Sequence, residues 1–502
     1  MSGKIVLFRP RLNKKGEEPL VTPLSLLSIS AHLEKQGYQI KIVDAMVEPT
    51  YEQEIISEAR GAICLGITVI TGYQIFDAVK TVRVVKKIYP DLPIVWGGWH
   101  PTVTPHQTIQ HECVDIVVKG LGETTFKELI YSLEGNVGLE RVKGILFKKS
   151  GKIIENPPRP LDEVEFLPLP YHLLNVEKYI RISYMGRRTL DYRSCYGCPF
   201  NCHYCADSLM SQRKWLANTS QKVLDEMEDL VNRYNVDALL LLENNFFVDK
   251  KRVEEICQGI IKRRLSLRFG SVSVRPEQFH NYEGRLIELI HKAGFQQLLV
   301  GTESGSQEIL DLINKQAKVE DTIRLKKLCR PYGIELQISI LVGLPLEGMG
   351  IKYQIREAIK LIRRLQKIDY NQNFYFSIYI PYPGTKLFDL SLKLGLKEPK
   401  TLEEWAEIDA TKVRTPWVPK RYEGIVKQLN EYIFPYISRQ FAVDWENIYH
   451  GRLRWPKRLG HKLFSFLARL RLKYEFFGFS LDYKMLLLFK KLANKNAAKR
   501  VL

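Results

Sequence analysis

A chain of 502 residues is too long for one compact core, so two or three domains are expected. The composition is globular, with no Gly/Ser-rich or single-residue tract, which excludes long disorder. The net charge of +19 is concentrated: from Gly451 onward fourteen Lys and Arg face only Glu475 and Asp482, a balance of +12, unlike a uniformly basic nucleic-acid binder.

The opening "MSGKIVLFRPRL" runs straight into a strand-like apolar segment and lacks the long apolar stretch and cleavage site of a signal peptide. No window has the unbroken apolar length of a membrane-spanning helix. The expected location is the cytoplasm, where thiols stay reduced and disulfides are disfavoured.

Along the chain, "KIVLFRP", "QIKIVDA", "GAICLGITVI", "LPIVWGG" and "VDIVVKG" read as strands. They alternate with helical stretches such as "PLSLLSISAHLEKQGY" and "YQIFDAVKTVRVVKKIYP". Strands apolar on both faces and separated by helices indicate an α/β domain with a doubly wound parallel sheet over residues 1–140. A Pro-rich linker is expected over 141–185, including "ENPPRPLDEVEFLPLPYHLL". From 186 to 414 the alternation resumes through "TLDYRS", "DALLLLENN", "LRFGSVSV", "QQLLVGTES", "ELQISILVGLP" and "NFYFSIYIPYPG". Six βα-type units fit a full or partial parallel barrel. Residues 415–502 read as a basic, aromatic helical segment.

Four of the eight cysteines fall within the run "RSCYGCPFNCHYCADS", at 195, 198, 202 and 205. Zinc modules separate their pairs more widely, and a ferredoxin run is spaced differently. The inner triplet C-x-x-x-C-x-x-C, just after the first barrel strand, offers three thiolates to a 4Fe–4S cluster and leaves one iron open. This resembles the radical S-adenosylmethionine (SAM) family, whose motif has an aromatic before its last cysteine. Here Cys198, Cys202 and Cys205 match the triplet and Tyr204 the aromatic. The resemblance implies that SAM chelates the open iron and that an electron cleaves it to methionine and a 5′-deoxyadenosyl radical. An external donor such as flavodoxin or ferredoxin would supply that electron. Cys195 would be a bystander, since a fourth thiolate on the open iron blocks SAM. Cys64, Cys113, Cys257 and Cys329 are isolated on apolar elements and read as core residues.

Barrel chemistry belongs at the carboxyl ends of strands. The runs "VGTESGS", "LVGLPLEG" and "PYPGTKLF" resemble one large branch of the family. That likeness implies a SAM contact for Glu303 and Arg275, with Ser273 nearby, and for Gly343 and Pro345 on the adenine side. At 243–247 the chain has "ENNFF" where the branch often has paired aspartates, leaving the role of Glu243 and Asn245 open.

A doubly wound sheet before a partial (β/α)6 barrel is the layout of cobalamin-binding radical SAM enzymes. "GITVITG", "WGGWHPT" and "VKGLGETTF" follow successive strands, at the edge where open α/β sheets bind ligands. Gly97, Gly98, Gly120 and Gly122 are the candidate close-approach positions, with Thr68, His100 and Glu123 as polar contacts. The D-x-H-x-x-G signature is absent and the loop after the first strand has no histidine, so cobalt would lack a protein imidazole. A Rossmann-like domain that binds nothing, or only holds substrate, is the other reading.

The expected activity is methylation of an unactivated carbon in a small-molecule or lipid-like substrate, through methylcobalamin and the adenosyl radical. The rivals are a non-methylating cyclase, oxidase or rearrangement enzyme, and a non-catalytic iron–sulfur electron-transfer or scaffold protein. The basic tail reads as a solvated helix capping the barrel, as a peripheral contact with the inner membrane surface, or, last, as a nucleic-acid contact.

Overall fold

The computed structural model describes residues 3–14, 20–270, 272–370, 372–408, 415–438, 455–478 and 480–488. The chain divides into two compact units: residues 1–267 with 380–414, and residues 268–379 with 415–502.

The first unit is built on a seven-stranded sheet. Its strands are β1 (Lys4–Arg9), β2 (Gln39–Asp44), β3 (Ala62–Thr68), β4 (Ile94–Gly97), β5 (Ile116–Val118), β6 (Ile145–Lys149) and β7 (Lys152–Glu155), in the order β2-β1-β3-β4-β5-β6-β7. The first five run parallel, linked by helices that include α1 (Leu24–Lys35), α2 (Tyr51–Ala59) and α3 (Tyr73–Ile88). Alternation along β1 sends Ile5 and Leu7 to one face and Val6 and Phe8 to the other. Both faces are covered, which explains why these strands read as continuous apolar runs.

One expectation is corrected here. The sheet does not stop near residue 140: β6 and β7 extend it as an antiparallel hairpin, inside the stretch read as linker. Ser150 and Gly151 form its turn at φ +50° and +74°, the backbone that a tight hairpin demands. Residues 380–414, read as part of the barrel, fall in the first unit together with residues 186–267. Phe388, Leu402 and Trp405 are buried in the same cluster as α3, and the Trp405 indole N–H donates to Gln107 Oε1 at 2.7 Å.

The first unit also holds β8 (Thr189–Tyr192), β9 (Cys195–Gly197), β10 (Trp215–Ala217) and β11 (Ala238–Leu241). β8 and β11 pair in parallel, and β9 and β10 pair antiparallel. The second unit contains β12 (Arg268–Gly270) and a four-stranded parallel sheet of β13 (Val272–Val274), β14 (Gln297–Glu303), β15 (Glu335–Val342) and β16 (Gln372–Ile378), paired in chain order. Past residue 415 the described residues are helical or in turns, as the sequence suggests.

Candidate functional site

In the first unit, the carboxyl ends of β3, β4 and β5 open on a cavity of about 410 Å³. Thr68, Gly97, Gly98, Gly120, Gly122 and Glu123 line it. The loops are tied to one another by hydrogen bonds: Val69 N donates to Gly97 O at 2.9 Å, and Gly120 N to the Thr102 side-chain Oγ1 at 3.0 Å. The glycines do different work. Gly98 has φ +100°, and a Cβ there would meet Val69 O at 2.8 Å, so glycine is required by the backbone itself. A Cβ on Gly97 would find nothing closer than 3.9 Å, and one on Gly120 nothing within 4 Å, so these two leave space.

The opposite wall includes Arg193, Cys195, Tyr196, Asp207 and Asn244. Ser28 Oγ donates to Glu123 Oε1 at 2.7 Å and lies 3.0 Å from Tyr196 Oη. Glu123 Oε2 and Asp207 Oδ2 are buried without a hydrogen-bond partner among the described residues. Burial pushes the Asp207 carboxyl up to about 6, although Asn244 donates to its other oxygen. Buried acceptors without donors call for a ligand bearing N–H or O–H groups. A corrin ring fringed with amides carries such donors, and the space left at Gly97 and Gly120 admits a bulky planar group. The residues present therefore fit cobalamin.

His100 does not line this cavity. It is fully buried, with Nδ1 3.1 Å from Thr71 Oγ1 and Nε2 3.1 Å from Thr104 Oγ1, and its ring packs edge-on against Trp405. Both nitrogens are taken, so the role the structure gives it is in packing. Burial drives its pKa from 6.5 down to about 3. The folded protein thus refuses a proton that the unfolded chain accepts below its ordinary value. Stability is expected to fall as pH drops through 6.5 toward 3, by about 1.4 kcal/mol per unit from this group. Denaturant unfolding at pH 7 and pH 5 checks this; His100→Gln should flatten the slope.

Cys198, Cys202 and Cys205 lie on the loop between β9 and the short helix Asp207–Met210, with Cys205 N donating to Cys202 O at 3.1 Å. Cys202 is buried and the other two half-buried. Asn245 Nδ2 is 4.0 Å from the Cys198 sulfur. As a free thiol Cys205 is pushed up to about 12, mainly by burial; metal coordination reverses this by taking the thiolate. Among the described residues no three His, Cys, Asp or Glu side chains are placed to hold a single metal ion. A cubane asks for something else, one thiolate on each of three separate irons, and the triplet fits that donor set. Tyr204 sits half-buried beside Cys205, and Leu387 N, after the "PYPGT" turn, donates to His203 O at 3.1 Å.

Cys195 has its own partner. Its buried Sγ donates to Glu243 Oε2 at 2.7 Å, while Ser194 N donates to Glu243 Oε1 at 2.7 Å. Burial raises both groups and the Glu243 carboxylate raises the thiol further, so Cys195 stays protonated. The "ENN" run gains a role from this: Glu243 receives β9 and Ser194, and Asn245 O accepts the Trp215 indole N–H at 2.9 Å. The sequence left this network unread, because it joins residues thirty to fifty positions apart.

In the second unit, Ser273 and Arg275 lie at the end of β13, Glu303 ends β14, and Gly343 and Pro345 follow β15. Glu303 has φ +65° at a register shift in the sheet, an unusual backbone for a residue with a side chain. Lys315, only 3% exposed and not anticipated from sequence, places Nζ 3.2 Å from Glu303 Oε1. The buried Arg275 guanidinium bonds Glu277 and the Lys315 carbonyl. Gly343, at φ +74°, presents its carbonyl to the Trp417 indole at 2.8 Å, and Pro345 is buried.

Known proteins resemble the chain over both its N-terminal and its central region. The B12 binding domain family model matches residues 18–130, and the radical SAM superfamily model residues 192–350. An uncharacterized methyltransferase of Pyrococcus horikoshii is 29% identical over 392 residues, covering 77% of this chain and 82% of its own length. The anaerobic magnesium-protoporphyrin IX monomethyl ester cyclase of Rubrivivax gelatinosus is 28% identical over 398 residues, 77% of this chain and 69% of its own. Among solved structures, the cobalamin-dependent SAM radical enzyme OxsB with aqua-cobalamin bound superposes with a TM-score of 0.72 at 16% identity, covering 99% of this chain and 76% of that one. The chain belongs to the radical SAM enzymes that carry a cobalamin-binding domain, and its cofactors are a 4Fe–4S cluster, S-adenosylmethionine and cobalamin.

Proposed function

We propose that this enzyme methylates an unactivated carbon of a small-molecule or lipid-like substrate. The observation that carries the reading is the shared cavity of the first unit. The glycine-edged sheet lines one wall, and β9 with Asp207, which bracket the cysteine triplet, line the other. When bound, the cluster with SAM supplies a carbon-centred radical and cobalamin supplies a transferable methyl group, chemistry that no side chain here can perform. In this reading Cys198, Cys202 and Cys205 hold the cluster. Thr68, Gly97, Gly98, Gly120, Gly122 and Glu123 would shape the cobalamin side, where the buried Glu123 Oε2 would be available to a ligand donor. Glu243 and Asn245 orient the cysteine loop from below. An external donor such as flavodoxin or ferredoxin provides electrons.

The SAM side rests on Glu303, with Ser273, Gly343 and Pro345 at neighbouring strand ends and Tyr204 beside the triplet. Arg275, whose guanidinium is already held by Glu277 and the Lys315 carbonyl, acts in this reading through Lys315 and Glu303. Glu303→Ala is expected to leave iron content intact and lower SAM affinity at least about tenfold, the value of one charge-assisted hydrogen bond of roughly 1.5–3 kcal/mol. Equilibrium dialysis with labelled SAM, beside an iron assay, measures it.

Cyclisation is the second reading, favoured by the similarity to the Rubrivivax gelatinosus cyclase. Products separate the two. With SAM, reductant and substrate, methyl transfer yields S-adenosylhomocysteine beside 5′-deoxyadenosine and moves a label from the SAM methyl into product. Turnover with 5′-deoxyadenosine but without S-adenosylhomocysteine refutes methylation.

A further inference from the structure

The basic helix Trp455–Tyr474 has two unlike faces. Ala468 and Leu472 are buried on one, and that side packs on the helix Phe434–Ile437 and on Tyr432, whose hydroxyl donates to Phe464 O at 3.3 Å. Ser465 Oγ donates to Tyr436 O on the same side. Arg471 is also turned inward, donating to Asp482 Oδ2 at 2.7 Å. This much is the capping role expected of a terminal helix.

The other face is different. Lys462, Leu463, Phe466, Arg469, Lys473 and Tyr474 are all exposed, and Leu463, Phe466, Arg469 and Lys473 among them follow one another at three- and four-residue spacing. Leu463, Phe466 and Tyr474 are 56%, 59% and 67% exposed, although a capping helix has no reason to present large apolar groups to water. A second helix, over 481–488, repeats the pattern: Tyr483 and Leu486 are buried, while Leu481, Lys484, Met485 and Leu488 face outward. Among the described residues of these two helices and the turn between them, the acids are withdrawn from the display. Asp482 is paired with Arg471, and Glu475 stands 3.3 Å from Arg363. The exposed charges on these two outer faces are therefore basic.

From this juxtaposition of exposed apolar residues and unopposed lysines and arginine, we infer that the two helices form a docking face for an anionic lipid bilayer. The apolar side chains enter the headgroup boundary while the basic ones meet lipid phosphates. No helix among the described residues is long and apolar enough to cross a membrane, so the contact is peripheral. A second copy of this chain would bring like charges face to face, which argues against self-association through the same surface.

The inference does not depend on the reaction catalysed, and its test uses the full holoenzyme. The protein should co-sediment with phosphatidylglycerol vesicles at least tenfold more than with phosphatidylcholine vesicles, and added salt should weaken the association. The double variant Leu463→Glu/Phe466→Glu should lower binding at least tenfold while iron content and far-ultraviolet circular dichroism stay unchanged. Leu481→Ser/Met485→Ser, on the second helix, should lower it independently. Three results overturn the proposal: no preference for anionic vesicles, binding untouched by both variants, or a concentration-dependent dimer that the variants dissociate in the absence of vesicle binding.

Discussion

Replacing Cys198, Cys202 or Cys205 by Ala is expected to strip the reconstituted protein of its cluster, whereas Cys195→Ala should keep it. The four thiols are close in sequence but not equivalent. Cys195 is committed to Glu243 at 2.7 Å, and both burial and that carboxylate keep it protonated. A thiol held this way is neither a ligand nor a nucleophile, since both roles need the thiolate. Cys195→Ala leaves Glu243 with Ser194 N as a remaining donor, so a stability loss of about 1–3 kcal/mol is expected without loss of iron. Cys195→Ser, which retains a donor, should recover part of it. Iron content and the absorption band of the anaerobically reconstituted variants decide the matter. Iron lost in Cys195→Ala and kept in one of the other three would overturn the ligand assignment.

Gly97→Phe is expected to abolish cobalamin uptake while the cluster and SAM cleavage survive. A side chain at Gly97 meets nothing nearer than 3.9 Å and so projects into the cavity without disturbing the sheet. Gly98 cannot serve for this test, because a Cβ there collides with Val69 O at 2.8 Å and Thr68 Oγ1 at 3.0 Å. Gly98→Ala should instead destabilise the domain by roughly 1–3 kcal/mol, the cost of a side chain on a backbone at φ +100° and ψ −164° that only glycine adopts readily, with the collision added. Cobalamin retained per chain after gel filtration, read beside the melting temperature, separates blocking from unfolding. Retention by Gly97→Phe equal to the parent would place the cofactor elsewhere. The bound cobalt should also show no protein imidazole nitrogen in its electron paramagnetic resonance spectrum, since His100 is enclosed by Thr71, Thr104 and Trp405.

The sheet and its ligand edge were legible because local signals agree there: apolar runs, intervening amphipathic helices, and glycines at strand ends. The hairpin of β6 and β7 was also written in "ILFKKSGKIIE", but the Pro-rich stretch just after it drew the whole segment into the linker. No local signal places Trp405 against α3, since its partners lie some three hundred residues earlier. The site divides the same way. Glu123 and the glycines are recognisable by position alone, whereas a buried histidine such as His100 looks like a contact until its partners are known. Glu243 and Asn245 meet partners thirty to fifty positions away in sequence, and their contacts become visible only with the fold.

The most direct test of the account is the fate of SAM. Holoenzyme with an intact cluster and bound cobalamin, reduced anaerobically in the presence of SAM, should release 5′-deoxyadenosine and methionine, measured by chromatography with mass detection. Cys202→Ala treated identically should release none. An intact cluster that consumes SAM without forming 5′-deoxyadenosine would contradict the account at its centre.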